Sequence, residues 1–344
     1  MTACGASQDA AAPTLPAVST TRPHGTSTTT TLAPVPTIVT TTTVPTPPSG
    51  WSVASVGLRG ITALLRTINE PDGPVTVAQF PAATTALHLH MGYNDPPGAL
   101  NLVPPDAGDA VSTTNAESQF LVGAFNGGFK ADAGAGGVMA DNTPVTSLVG
   151  GFASAVINAH GALAIGTWGR DVPGRIPAIV SVRQNLSMLV VGGQPTSQAA
   201  AGPAAWGSVL GPSPLVARSS LGVDAAGNVY YAASERALPI DLADALSSVG
   251  VQSAMQLDIN PYWPVLGISA APGATMASDL PGSTMGPNVF LQGWQRDFFT
   301  VIAKPSRSCQ LTFPGPVNVA GPAAATVTCV PRHIWTSAQP PLQP

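Results

Sequence analysis

The chain has 344 residues, with 36 Gly, 36 Pro and only 9% charged side chains, enough for one large core or two modest ones. Lys and Arg total 13 against 17 Asp and Glu, a formal net charge of −4, which excludes the basic face that a nucleic-acid binder needs to displace counterions. Lys130 and Lys304 are the only lysines, so there is no polybasic membrane patch. Mean hydropathy is +0.24, yet no apolar run reaches the ~18 residues of a transmembrane helix.

In chain order, Met1-Thr2-Ala3-Cys4 has the look of the small-residue run ahead of a lipid-bearing cysteine, though no charged and apolar signal segment precedes it. Residues 5–50 hold 14 Thr and 8 Pro, with Asp9 and Arg22 the only full charges. Such a segment cannot bury enough apolar surface to offset its ordering entropy. It is expected to be a disordered, extended spacer, and a lipid on Cys4 would make residues 1–50 a surface tether.

The body, 51–304, alternates apolar runs with Gly, Asn and Asp. Pro74–Phe80, Ala86–Met91, Gln119–Phe125 and Phe152–Asn158 are predicted strands. Ala153–Trp168 is a predicted hairpin turning at Asn158-Ala159-His160-Gly161, and Ser219–Ala233 another turning at Asp224–Asn228. Val182–Val191 is a further strand. The clearest helix is Ile240–Val249, with Leu242, Leu246 and Val249 at helical spacing and Gly250 as its C-terminal stop; it leads into a strand, Ala254–Asp258. The expected fold is α+β, a single large domain dominated by antiparallel or mixed sheet with few helices. Residues 305–344 form a Pro-rich extension with short strands at Gln310–Phe313 and Ala325–Val330. There Cys309 and Cys329 can close a disulfide contributing about 2–4 kcal/mol in an oxidising compartment. The odd cysteine count of 3 then resolves into one anchor and one bridge.

Three segments could carry chemistry. In Phe125-Asn126-Gly127-Gly128-Phe129-Lys130, Asn-Gly-Gly is either a tight turn or a place where a ligand approaches bare backbone. Asn126 would then serve sugar hydroxyls and Lys130 would supply a point charge. In Arg218-Ser219-Ser220, a planar guanidinium can hold a phosphate or carboxylate; the plainer alternative is a surface ion pair. In Asp258-Ile259-Asn260-Pro261-Tyr262-Trp263, a carboxylate sits at a strand end, Asn260 belongs to a turn, and Tyr262 and Trp263 are either core or a platform for a sugar face. His88 and His90 share one face of a strand, but no third ligand stands near them in sequence, so no metal site and no cofactor are assigned. No Gly-x-Ser-x-Gly elbow or His-Glu-x-x-His pair occurs.

The succession of these segments resembles the phosphodiester glycosidase family, whose best-known member uncovers mannose 6-phosphate by removing a capping N-acetylglucosamine. Family members show an apolar strand into Asn-Gly-Gly-Phe, a hairpin, an Arg-Ser/Thr-x-x-Gly strand, a helix, and a strand ending in Asp. Here these are Phe125–Phe129, Ala153–Gly166, Arg218–Gly222, Ile240–Val249 and Ala254–Asp258. Val182-Arg183-Gln184-Asn185-Leu186 looks like the secreted actinobacterial branch. The chain departs from the family by replacing Asp-Gly-Gly-Gly-Ser with Asp258-Ile259-Asn260-Pro261-Tyr262, which removes backbone amides that could face an anion.

The resemblance implies a cell-surface hydrolase of a glycosyl phosphodiester or related envelope glycoside. Asp258 and Arg218 would be catalytic, and Asn126, Gly127, Gly128, Lys130, Asn260, Tyr262 and Trp263 would bind substrate. The alternative is a glycan-binding envelope lipoprotein of the same fold without hydrolysis. Convergence of Asn126, Arg218 and Asp258 on one pocket separates the two.

Overall fold

The computed structural model describes residues 46–92, 117–292, 294–305, 309–312 and 326–329. Cys4 and the expected spacer up to residue 45 lie outside these residues. The described chain is α+β and mostly strand. Its elements form an eight-stranded sheet, two five-stranded sheets and a two-stranded ladder. Every pairing between the described strands is antiparallel. No helix among the described residues is long and apolar enough to cross a membrane.

The eight-stranded sheet runs Ser52–Gly57, Gly60–Glu70, Gly73–Phe80, Val229–Ala237, Val216–Asp224, Val251–Ile259, Met188–Val191, Gln194–Pro195 in spatial order. Strand alternation divides its side chains between two cores. Tyr230, Ala232 and Ala254 pack with the helix Pro239–Ser248 through Leu242 and Leu246. Tyr231, Leu221, Met255 and Leu257 enter the central cluster with Phe125, Leu89 and Phe299. The helix begins one residue before its predicted start. Pro239 occupies the first turn, where no amide hydrogen is needed, and the Leu238 amide donates to Asp241 Oδ2 at 2.6 Å. Gly250 follows with φ +91°, where L side chains are strained.

One five-stranded sheet is ordered Thr143–Thr146, Val138–Ala140, Ile179–Gln184, Ala153–Asn158, Leu163–Thr167, and the other Met276–Ser278, Leu266–Ser269, Leu121–Asn126, Phe298–Ala303, Thr85–His90. Both predicted hairpins are present, as Ala153–Asn158 with Leu163–Thr167 and Val216–Asp224 with Val229–Ala237. The single strand expected over Val182–Val191 is two strands in two sheets. The chain crosses between them at Asn185 and Leu186, the latter with φ +48°. In the C-terminal ladder the backbone register sets Cys309 directly opposite Cys329.

Candidate functional site: a carboxylate–guanidinium pair in an open cleft

A cleft of about 680 Å³ opens beside the end of Val251–Ile259, lined by Asp258, Asn260, Trp263, Arg296, Lys130 and Phe129 together with the 201–209 loop. Asp258 reaches it through an irregularity in pairing. Arg218 faces Ile259 while Ser220 faces Gln256, so the strand carries one extra residue between those partners. Such a bulge breaks the period-two alternation and re-aims a side chain. Ala254 packs toward the helix and Gln256 bonds Arg218 Nη1 at 3.1 Å. Asp258, two residues on, instead meets Arg296, with Oδ2 2.7 Å from Nη2. Asn185 holds the bulge, its Nδ2 donating to the carbonyls of Gln256 and Leu257 at 2.8 and 3.0 Å.

Burial pushes the Asp258 carboxyl up to about 7; the Arg296 guanidinium and the Ile259 amide, which donates to Oδ1 at 2.8 Å, pull against it. A carboxyl poised there exchanges protons near neutral pH. Arg296 also donates to the Gly128 carbonyl at 2.7 Å, and its guanidinium carbon lies 4.8 Å from the Trp263 ring centroid. Lys130 Nζ lies 5.8 Å from the same centroid. Trp263 is half-buried and Tyr262 is 55% exposed; only Trp263 lines the cleft.

The other expected site residues do not reach it. Arg218, read as the phosphate holder, is fully buried on the helix-bearing side. Its guanidinium donates to the carbonyls of Ala237, Trp206 and Pro214 and to Gln256 Oε1. Burial lowers its pKa to about 10. Since Trp206 and Pro214 flank and line the cleft wall, Arg218 braces that wall from behind. Asn126 is buried and committed: Oδ1 accepts from the Tyr231 hydroxyl at 2.7 Å and the Val265 amide at 3.2 Å. Its Nδ2 donates to Ser219 Oγ and to the Gly127 carbonyl, both at 2.9 Å. Ser219 in turn donates to the Asp258 carbonyl at 3.0 Å. Asn126 therefore acts on Asp258 through a buried chain, without exposure to a sugar.

Gly127 and Gly128 do admit a close approach, but by the protein itself. A Cβ on Gly127 would sit 1.9 Å from Asp297 Oδ2, and one on Gly128 would sit 2.9 Å from Arg183 Cζ. Arg183 and Asp297 form a buried two-point ion pair at 2.8 and 3.1 Å. Asn260, at φ +75°, uses Oδ1 to accept from the Leu210 amide at 3.0 Å, which ties down the wall loop.

Arg296, Asp297 and Arg183 were not named as site residues from sequence. In a chain with so few charges, adjacent Arg296 and Asp297 at the head of an apolar strand were a readable signal.

A second polar cluster lies in the Thr85–His90 sheet. His88 Nδ1 is 3.1 Å from Glu117 Oε2, and His88 Nε2 is 3.0 Å from Asp141 Oδ1. His90 Nε2 is 3.0 Å from Glu117 Oε1 and 2.9 Å from Thr300 Oγ1. Glu117, the acid that joins the two histidines, lies 29 residues from His88 in sequence. Burial opposes protonation of His88, but Glu117 and Asp141 outweigh it and raise its pKa well above the usual value.

No family model and no curated protein matches the chain. Among solved structures it is similar to the catalytic domain of zebrafish N-acetylglucosamine-1-phosphodiester alpha-N-acetylglucosaminidase, auto-inhibited by its pro-peptide. That likeness has 14% identity and a TM-score of 0.43, over 74% of this chain and 88% of that one. A hypothetical protein from Synechocystis is similar at 12% identity and a TM-score of 0.41, over 70% of this chain and 62% of that one. Likeness at this level assigns no activity.

Proposed function

We propose that the protein is a hydrolase of a glycosyl phosphodiester or a related envelope glycoside, held at the cell surface through Cys4 and the Thr/Pro-rich spacer. The observation that carries this reading is the Asp258–Arg296 pair, 2.7 Å apart, in a cleft also lined by Trp263 and Lys130. A sugar phosphate leaves as a stable anion, so one carboxylate with cationic support is sufficient where an ordinary glycoside needs two carboxyls. In this reading Arg296 and Lys130 take the departing phosphate, the role first given to Arg218. Trp263 offers its ring to the sugar. Asp258 removes a proton from water as the water oxygen bonds the anomeric carbon, and the electron pair of the broken carbon–oxygen bond goes to the phosphate.

The withdrawal of Asn126 and Arg218 from the cleft favours a second reading, a glycan-binding domain that does not cleave. The full chain incubated with nucleotide-sugars and envelope phosphoglycans separates the two. The hydrolase reading expects sugar release that falls by about 10²–10⁴-fold in Asp258→Asn, the usual contribution of a general base. Equal rates in wild type and variant would remove Asp258 from the mechanism. Binding without release from any of these substrates would establish the second reading.

A further inference from the structure

The buried cluster on Thr85–His90 has no part in the cleft chemistry. We propose that His88, His90 and Glu117 form a zinc site whose fourth position is taken by a water or hydroxyl oxygen, with Asp141 fixing His88 from the second coordination sphere. One donor atom from each of the three lies within 4.8 Å of the others, and all three residues are buried. Two donors on a tetrahedral zinc ion stand about 3.4 Å apart at a metal–ligand distance of about 2.1 Å. Closing the three around an ion therefore takes side-chain shifts of about an ångström.

Asp141, on a tight turn of another sheet, lies 3.0 Å from His88 Nε2; with Nε2–H donated there, Nδ1, which faces Glu117, is the nitrogen that binds an ion once its proton is displaced. A carboxylate on the far nitrogen of a ligating histidine is a recurrent arrangement at zinc. Two imidazoles and a carboxylate make a borderline nitrogen–oxygen donor set that selects zinc over calcium or magnesium, which take oxygen ligands. An ion here displaces the proton shared between His88 and Glu117. It pins three separate chain segments together: the strand Thr85–His90, the lead into Leu121–Asn126, and, through Thr300 beside His90, the strand Phe298–Ala303. Two of these lead to Phe129, Lys130 and Arg296 of the cleft, so the ion would stiffen the frame of the site without touching it.

The test uses the full chain, stripped with a chelator and refilled with zinc alone, with calcium and magnesium as separate arms. The expected result is one zinc per chain by elemental analysis. The melting temperature should rise by about 5–10 °C at a hundredfold excess over Kd. Cobalt in place of zinc should give the visible absorption of a tetrahedral nitrogen–oxygen site. His90→Gln should take up no stoichiometric zinc. Asp141→Asn, changed at a partly exposed residue outside the donor set, should fold and bind zinc about 10–100-fold more weakly. Absence of zinc uptake by the stripped wild-type protein would overturn the proposal. So would equal uptake by His90→Gln, or a thermal shift with calcium or magnesium in place of zinc.

Discussion

Substituting Gly127 by Ala tests whether the Asn-Gly-Gly turn exists to serve the ion pair of Arg183 and Asp297. The added Cβ falls 1.9 Å from Asp297 Oδ2, 2.5 Å from its Cγ and 2.7 Å from its carbonyl oxygen. The carbonyl cannot retreat without losing its 2.9 Å bond from the Gly127 amide, so the carboxylate must swing away. That motion breaks both bonds from Arg183 and leaves two buried charges uncompensated, a loss of about 3–5 kcal/mol. Against a total stability of roughly 5–15 kcal/mol, the melting temperature should fall by roughly 6–20 °C for a domain of this size. Gly150→Ala is the matched control: its Cβ meets no heavy atom within 4 Å, so its effect should stay within about 0.5 kcal/mol. Urea unfolding of wild type and the two variants reads the difference directly. A Gly127→Ala protein within about 1 kcal/mol of the Gly150→Ala protein would refute the claim that these glycines are kept for Asp297.

Arg218→Lys should destabilise by about 2–4 kcal/mol, since one ammonium cannot replace a fork that serves four acceptors; equal urea midpoints for variant and wild type would contradict the bracing role. For Asp258, the carboxyl is neutral in the folded state up to about pH 7 but ionises near 3.9 when unfolded. Its contribution to stability is therefore fully present at low pH and declines as pH rises from about 4 to about 7. Asp258→Asn should remove a decline on the order of 4 kcal/mol, measured as the wild-type-minus-variant difference in unfolding free energy across that window. Cys309 and Cys329 are directly paired, and residues so paired on antiparallel strands stand about 4.5–5.5 Å apart at Cα, within the ~4.4–6.8 Å that a disulfide spans. Peptide mapping of protein from an oxidising compartment should find the two joined, and Cys329→Ser should cost about 3 kcal/mol.

Both hairpins and the helix were legible because their signals are local: turn residues between apolar runs, and a 3.6-residue spacing closed by glycine. The strand ending in Asp258 was legible for the same reason. The direction in which each side chain points was not. Arg218 and Ser219 are adjacent, and only knowledge of which sheet face carries the helix places the hydroxyl toward Asp258 and the guanidinium away from it. The break at Asn185 and Leu186 was hidden inside a continuous apolar run, because nothing in strand propensity marks a change of sheet. Arg296 escaped notice because its partner lies 38 positions earlier and the contact exists only through the bulge. The histidine cluster shows the same limit, since His88 reaches Glu117 from 29 residues away and Asp141 only across sheets.

The extra residue in Val251–Ile259 has a consequence for how this site can be gained or lost. The position of the carboxylate depends on a count of residues, independent of their type, so removing one residue ahead of Asp258 would leave the local composition almost intact. It would move the acid into the place of Leu257, whose side chain belongs to the central cluster. Transplanting the Asp-Ile-Asn-Pro segment into another sheet would fail for the same reason, unless the extra residue and the amide of Asn185 that holds it were carried along. The portable unit is thus two crossing chain segments and an offset of one residue, which no linear motif describes.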